Sequence, residues 1–364
     1  MKHSVAIFMI GLGLAGFSAA QARAETDWTD VAGMFNDPEF KKEFIAYYGF
    51  DAELEPRVTP EEVKVLESVR EMMANDLPKA EATLRKQKPE GSAILSYTLG
   101  GVLFQEDKMD EAAEWYTKAT DKFPSFRRAW RNMGLIQARG GKFDASIKSF
   151  TKMIELGGGD AYSYGLLGYC YSQKQDFQAA EAAYRSALLL QPENTEWRLG
   201  LTRCVFRQEK FEDAATLLDG LIERYPSNAD FWALQAEAFL NMKQPIKAAE
   251  NLEALDQMKK ATPAHLFTLG DIYTTEDLFD LASNAYVRGV DADPKQAVAR
   301  PLRSAEVLAA RGALKEAKIL SDEIHKVLEP QMVDADKHKL LKLDARLSLA
   351  EGGSSDETAA VLEE

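Results

Sequence analysis

A skeleton that returns every 34 residues between Ala93 and Pro294 constrains this chain more than any other feature. Numbered from one to 34, six copies align without gaps, beginning at Ala93, Arg127, Ala161, Thr195, Ala229 and Pro263. The third copy is the fullest. It carries Tyr164 at place four, Leu167-Gly168 at seven and eight, Tyr171 at eleven and Phe177 at seventeen, then Ala180, Tyr184, Ala187 and Pro192. A period of this length marks stacked units, because one unit cannot bury its apolar face alone. Places four, seven, eight and eleven form one stripe of a first helix. The small residue at place eight admits a second helix, which offers small residues of its own at twenty and twenty-seven. Proline near place thirty-two ends that second helix, since it lacks an N–H and clashes within a helical turn. The predicted class is all-α: about seven helical pairs with divergent caps.

These columns resemble the tetratricopeptide repeat (TPR). The resemblance covers residues 93–294 strongly and implies a right-handed α-solenoid whose open face holds peptides. The array is expected over 93–330, as units 93–126, 127–160, 161–194, 195–228, 229–262, 263–296 and a degenerate 297–330. The last unit keeps the length and offers Leu302, Leu308, Leu314, Ala317 and Leu320, but lacks the Leu-Gly signature. Residues 59–92 read as a shortened capping pair carrying Leu66, Val69, Met73, Leu77, Ala80 and Leu84. Residues 331–350 read as a capping helix and 351–364 as a frayed acidic tail.

The first 24 residues are read as a secretory leader: Lys2-His3, an apolar run from Val5 to Phe17, and Ala22-Arg23-Ala24 as cleavage signal. The expected location is therefore periplasmic. The alternative is an uncleaved anchor, for which the apolar run is short. Cleavage would remove Lys2 and Arg23 and no acid, making the net charge of −14 two units more negative. Such acidity disfavours nucleic acids and anionic membranes as partners. Cys170 and Cys204 both occupy place ten of a first helix, in adjacent units. Helices that pack side by side lie about 8–10 Å apart, beyond the reach of a disulfide. Two free, mostly buried thiols are expected.

Chemical motifs fare poorly. Gly11-Leu12-Gly13-Leu14-Ala15-Gly16 matches a dinucleotide-binding pattern but lies in the leader, outside any strand–helix unit. Gly157-Gly158-Gly159-Asp160 is read as a flexible turn between units rather than a phosphate cradle. His265, His325 and His338 have no partners at catalytic or metal-binding spacing. No catalytic residue, metal site or cofactor is expected, and the protein is read as a non-enzyme.

A ligand would meet the other face of each first helix, at places two, five, six, nine, twelve and thirteen. There the acidic chain changes sign. The second unit offers Arg128, Arg131, Asn132 and Arg139; the third, Tyr162, Leu166 and Tyr169; the fourth, Arg203, Phe206 and Arg207. The fifth and sixth offer Asp230, Glu237 and Asp271. The expectation is a peptide-binding wall, basic and aromatic in its first half and acidic in its second. Arginine presents a planar fork to carboxylates, and tyrosine gives contact area at low entropy cost. The plainer alternative is that these arginines pair with acids of adjacent units or simply face water. The two-carboxylate clamp of chaperone-binding TPR domains is not reproduced.

Residues 25–58 crowd seven aromatics, Trp28, Phe35, Phe40, Phe44, Tyr47, Tyr48 and Phe50. They are read as a cap on the first pair, or as a docking segment for a partner or a second copy. The phrases Phe123-Pro124-Ser125-Phe126-Arg127-Arg128-Ala129-Trp130, Tyr164-Gly165-Leu166-Leu167-Gly168-Tyr169 and Leu269-Gly270-Asp271-Ile272-Tyr273 are similar to those of exported TPR proteins associated with TonB energy-transduction systems. That resemblance implies an adaptor acting with TonB, ExbB or ExbD. The alternatives are a self-assembling envelope scaffold, homo-oligomeric through the N-terminal segment, and a glycan binder or enzyme with an unseen site.

Overall fold

The computed structural model describes residues 55–350 apart from Gln296. The expected leader, most of the aromatic segment and the acidic tail lie outside these residues. Among those described there are seventeen α-helices and no strand. A short pair, α1 (Pro60–Asn75) and α2 (Leu77–Lys86), precedes the array. Then come α3 (Ala93–Gln105) with α4 (Met109–Lys122), α5 (Arg127–Arg139) with α6 (Phe143–Glu155), and α7 (Ala161–Gln173) with α8 (Phe177–Leu190). They are followed by α9 (Thr195–Arg207) with α10 (Phe211–Arg224), α11 (Ala229–Asn241) with α12 (Pro245–Gln257), and α13 (Pro263–Thr275) with α14 (Phe279–Ala292). The last are α15 (Ala299–Ala310), α16 (Leu314–Leu328) and α17 (Asp334–Ala350). The described residues fall into two compact units, 55–176 with 182–197 and 177–181 with 198–350.

Local chemistry sets the helix ends. Ser92, Asp160 and Thr262 cap first helices by accepting a hydrogen bond from the backbone N–H three residues on, which satisfies a donor the helix leaves open. Second helices stop at Lys122, Leu190, Arg224 and Ala292, two residues before Pro124, Pro192, Pro226 and Pro294. Between the two helices of a pair the chain turns through a left-handed residue at place fifteen. It is Asp107, Gly141, Gln175, Glu209, Lys243 or Asp277, with φ between 57° and 69°. Most copies accept the cost of a side chain there, about 1–2 kcal/mol, because the tight turn lets the pair pack face to face.

In the first unit, packing follows the columns. The ring of Tyr116 lies on Gly100, where an added Cβ would sit 2.9 Å from it; Phe150 covers Gly134 in the same way. Both rings are fully buried. Ala112 and Ala119 are also at 0 % exposure. At place twenty the second copy has Ser146, whose hydroxyl donates to the Gly134 carbonyl at 2.7 Å, so its polarity is satisfied inside the core. Val69, Ala80 and Leu84 of the short pair are fully buried. In the triple-glycine turn a Cβ on Gly158 would overlap Arg127 and one on Gly159 would meet Tyr164, while Gly157 has open space around it.

In the second unit one apolar cluster joins Ala236, Leu252 and Leu255 to Leu269 and Ile272. Another runs from Phe267 and Tyr286 through Leu302, Leu308 and Leu320 to Leu340, Leu343 and Leu347 of α17. The last helix thus covers the end of this core. The seventh pair forms, but α15 begins at Ala299, two residues later than a strict 34-residue period places it. Both cysteines are buried as free thiols.

Candidate functional site

In the first unit the open face is largely spoken for. Arg128 donates from Nε and Nη2 to one carboxylate oxygen of Glu55, at 2.9 and 2.6 Å. Its guanidinium also lies 5.3 Å from the centre of the Tyr97 ring and 5.8 Å from that of Phe126. Glu55 belongs to the segment before the first helix, and its side chain is only 1 % exposed. Pro56 beside it is buried. Arg131, expected on the open wall, is instead buried, with Nε 2.9 Å from the Asp160 carboxylate that also caps α7. Asn132 is buried too and donates to the hydroxyls of Tyr116 and Tyr97 at 3.1 and 3.3 Å. Arg139 is half-buried and donates to Asp107 at 2.7 Å.

Leu166 is fully buried. Tyr162 and Tyr169 are half-buried, edge-on to Trp197 and Phe143 respectively. So three expected contact residues, Arg131, Asn132 and Leu166, do not reach solvent. Pairing with an acid of the adjacent unit describes Arg139 with Asp107, whereas Arg131 binds an acid of its own unit and Arg128 one from outside the repeats. A carboxylate within reach removes the like-charge cost that a row of arginines would otherwise carry.

The second unit differs. Arg203 and Arg207 of α9 are exposed and have no hydrogen-bond or ion-pair partner among the described residues. Phe206 between them is half-buried, edge-on to Phe211 with ring centres 5.2 Å apart. Asp230 and Glu237 of α11 are exposed. Asp271 of α13 is already engaged: it accepts from the Tyr286 hydroxyl at 2.8 Å and from Arg300 at 2.6 Å.

Asp271 borders a half-open pocket of about 340 Å³ between α13 and α15. Arg300, Arg303 and Arg311 line it, with Thr274, Ser304 and Val307. The expected acidic second half of the wall is therefore corrected at its end, where three arginines face one aspartate. Sequence reading missed them because of the two-residue delay in α15. In a strict period Arg300 and Arg303 fall at places four and seven, on the packing stripe. Counted from Ala299, they fall at places two and five, on the open face. Leu302 and Ala305, buried at 3 % and 0 %, take over the stripe. The signal in the sequence was the spacing of Leu302, Ala305 and Leu308.

Among the described residues no group of three or more His, Cys, Asp or Glu is placed to hold a metal ion. No helix of the described residues is long and apolar enough to cross a membrane.

Two models described as tetratricopeptide repeat match, at residues 75–125 and 171–238. The chain is 28 % identical over 229 residues to cellulose synthase operon protein C of Pseudomonas fluorescens (strain SBW25), covering 59 % of this chain and 16 % of that protein. It is 27 % identical over 133 residues to Hsp70-Hsp90 organizing protein 3 of Arabidopsis thaliana, covering 36 % of this chain and 24 % of that protein. It thus spans less than a third of either relative's length. Among solved structures, the C-terminal part of a TPR repeat-containing protein from Cytophaga hutchinsonii superposes with a TM-score of 0.51 at 12 % identity, over 67 % of this chain and 99 % of that one. That likeness bears on the fold. The chain thus carries tetratricopeptide repeats at residues 75–125 and 171–238, on a fold of helical pairs that it shares with that structure.

Proposed function

We propose that the protein is a non-enzymatic adaptor that holds an extended segment of another protein on the open face of its first helices. The observation that carries this reading is the seat of Glu55. A residue from outside the repeats lies against that face and is gripped by Arg128 at place two, beside Tyr97 at place five. The face can therefore take an acidic side chain from another segment. In the second unit Arg203 and Arg207, at places nine and thirteen of the same face, have no hydrogen-bond or ion-pair partner among the described residues. Repeats of this family serve as protein-interaction scaffolds, and one relative is named as an organizer of two other proteins.

The finer reading places the adaptor in the periplasm as an accessory to TonB, ExbB and ExbD. Its support is the leader-like first 24 residues and the phrase similarity around Trp130, Tyr164 and Gly270. A photo-crosslinking residue placed at Arg203, Arg207 or Glu237 tests both levels in living cells. Control sites are Thr216 and Glu250, exposed on second helices. Adducts from the first set and not from the controls are expected. Adducts only from the controls would overturn the adaptor reading. Failure of antibodies to TonB, ExbB and ExbD to detect any adduct would remove the finer reading alone, as would retention of the protein in spheroplasts after osmotic shock.

A further inference from the structure

The pocket between α13 and α15 holds a cation with no counter-charge. Arg300 is bound to Asp271, and Arg311 to Asp277 at 2.6 Å. Arg303, exposed and lining the same pocket, has no hydrogen-bond or ion-pair partner among the described residues. Arg300 and Arg303 stand three apart on one helix, a like-charge pair in which, among the described residues, Arg300 alone has an ion-pair partner, Asp271. Asp271 already accepts from the Tyr286 hydroxyl on Oδ1 and from Arg300 on Oδ2, and Arg303 makes no bond to it. The Thr274 hydroxyl is also committed, to the Gly270 carbonyl and the Tyr286 hydroxyl. Val307 supplies an apolar wall for the methylenes of an incoming side chain.

We propose that this pocket takes the side-chain carboxylate of an acidic residue in an extended partner segment, with Arg303 as the first contact and Arg300 as the second. The inference deepens the adaptor reading and rests on it. The first unit supplies the precedent. There a place-two arginine, Arg128, binds the carboxylate of Glu55 through two N–H groups while an aromatic ring packs beneath. In the second unit Arg300 is at place two and lies 5.6 Å from the Phe267 ring centre. Its present partner, Asp271, lies within the array and is half exposed. A segment carrying an acid would compete for Arg300 and satisfy Arg303 at the same time. Charged hydrogen bonds of this kind are about twice as strong as neutral ones.

The test uses the full chain and three fluorescein-labelled peptides read by fluorescence anisotropy. They are hexaglutamate with an amidated C-terminus, hexaglutamine with a free C-terminal carboxylate, and amidated hexaglutamine. Preference for amidated hexaglutamate over both others is expected. Arg303→Glu should weaken that binding about tenfold, while Asp271→Asn, which releases Arg300, should tighten it. Circular dichroism melts of each variant separate lost binding from lost fold. Unchanged binding by Arg303→Glu would overturn the proposal. So would equal binding of the free-carboxylate hexaglutamine, which would make the pocket a chain-terminus site. If Arg203 and Arg207 still crosslink a partner in cells while Arg303→Glu binds normally, the pocket falls and the adaptor reading stands. If Arg303→Glu loses peptide binding but the open face yields no adduct, the pocket binds carboxylates while the adaptor reading, and with it the partner segment, falls.

Discussion

Two adjacent glycines in α3 should respond to the same substitution with opposite signs. Replacing either Gly100 or Gly101 with alanine removes backbone freedom from the unfolded chain and favours the helix by about 0.5–1 kcal/mol. At Gly101 nothing opposes that gain. The added methyl would lie 3.6 Å from the nearest foreign atom, the Tyr116 hydroxyl, at ordinary contact distance. At Gly100 it would lie 2.9 Å from Cε1 and 3.0 Å from Cδ1 of the same ring. Tyr116 cannot easily retreat, since it is 0 % exposed and its hydroxyl accepts from Asn132 at 3.1 Å. Overpacking of this kind costs about 1–3 kcal/mol. Gly100→Ala should therefore lose up to about 2.5 kcal/mol net, and Gly101→Ala should gain up to about 1 kcal/mol. The gap between them is the firmer quantity, because the backbone contribution cancels. Urea midpoints followed by circular dichroism compare the two without assuming all-or-none unfolding, which a repeat array need not show. If Gly100→Ala proves as stable as Gly101→Ala, the reason given for glycine at place eight is wrong.

The last helix should be held by a proton. His325 of α16 bridges Asp344 of α17 at 2.7 Å and Glu329 at 2.8 Å, and Ser321 donates to the other Asp344 oxygen. Burial would lower the histidine pKa, but its bonds to the Asp344 and Glu329 carboxylates outweigh this and raise it. A raised folded-state pKa means that the stabilisation is complete below the unfolded value and is lost as pH rises through the folded one. Amide exchange in 334–350, corrected for its intrinsic rate, should show less protection at pH 8 than at pH 6. His325→Gln should flatten that difference; an unchanged difference would refute the latch. The two thiols should be inert in the folded protein. Burial pushes Cys170 up to about 11 and Cys204 up to about 12, the latter helped by Glu181. Ellman's reagent at pH 8 should react with both only after denaturant is added, and rapid labelling of the native chain would contradict their placement.

The repeat period was enough to place the first helices of the six clear copies, because apolar spacing, small residues and prolines are local signals that each copy states afresh. Glycine at place eight and the ring at twenty-four name each other in the sequence and meet in the structure. The candidate site was only partly legible. Facing direction follows from helical spacing, which is why Arg203, Arg207 and Asp271 are exposed where the period places them. Burial does not follow from it: Arg131, Asn132 and Leu166 share the same arc and are enclosed, because Asp160, Tyr97 and Tyr116 come from other elements that only tertiary packing supplies. The same holds for Glu55, which reaches Arg128 across 73 residues of sequence. At the far end the two-residue delay before α15 turned Arg300 and Arg303 from the apparent packing stripe to the pocket wall. Such a shift changes no residue type, only the angle at which each leaves the helix. Composition and period thus determined that this chain would be paired helices, while packing alone decided which of its charges remain open to another molecule.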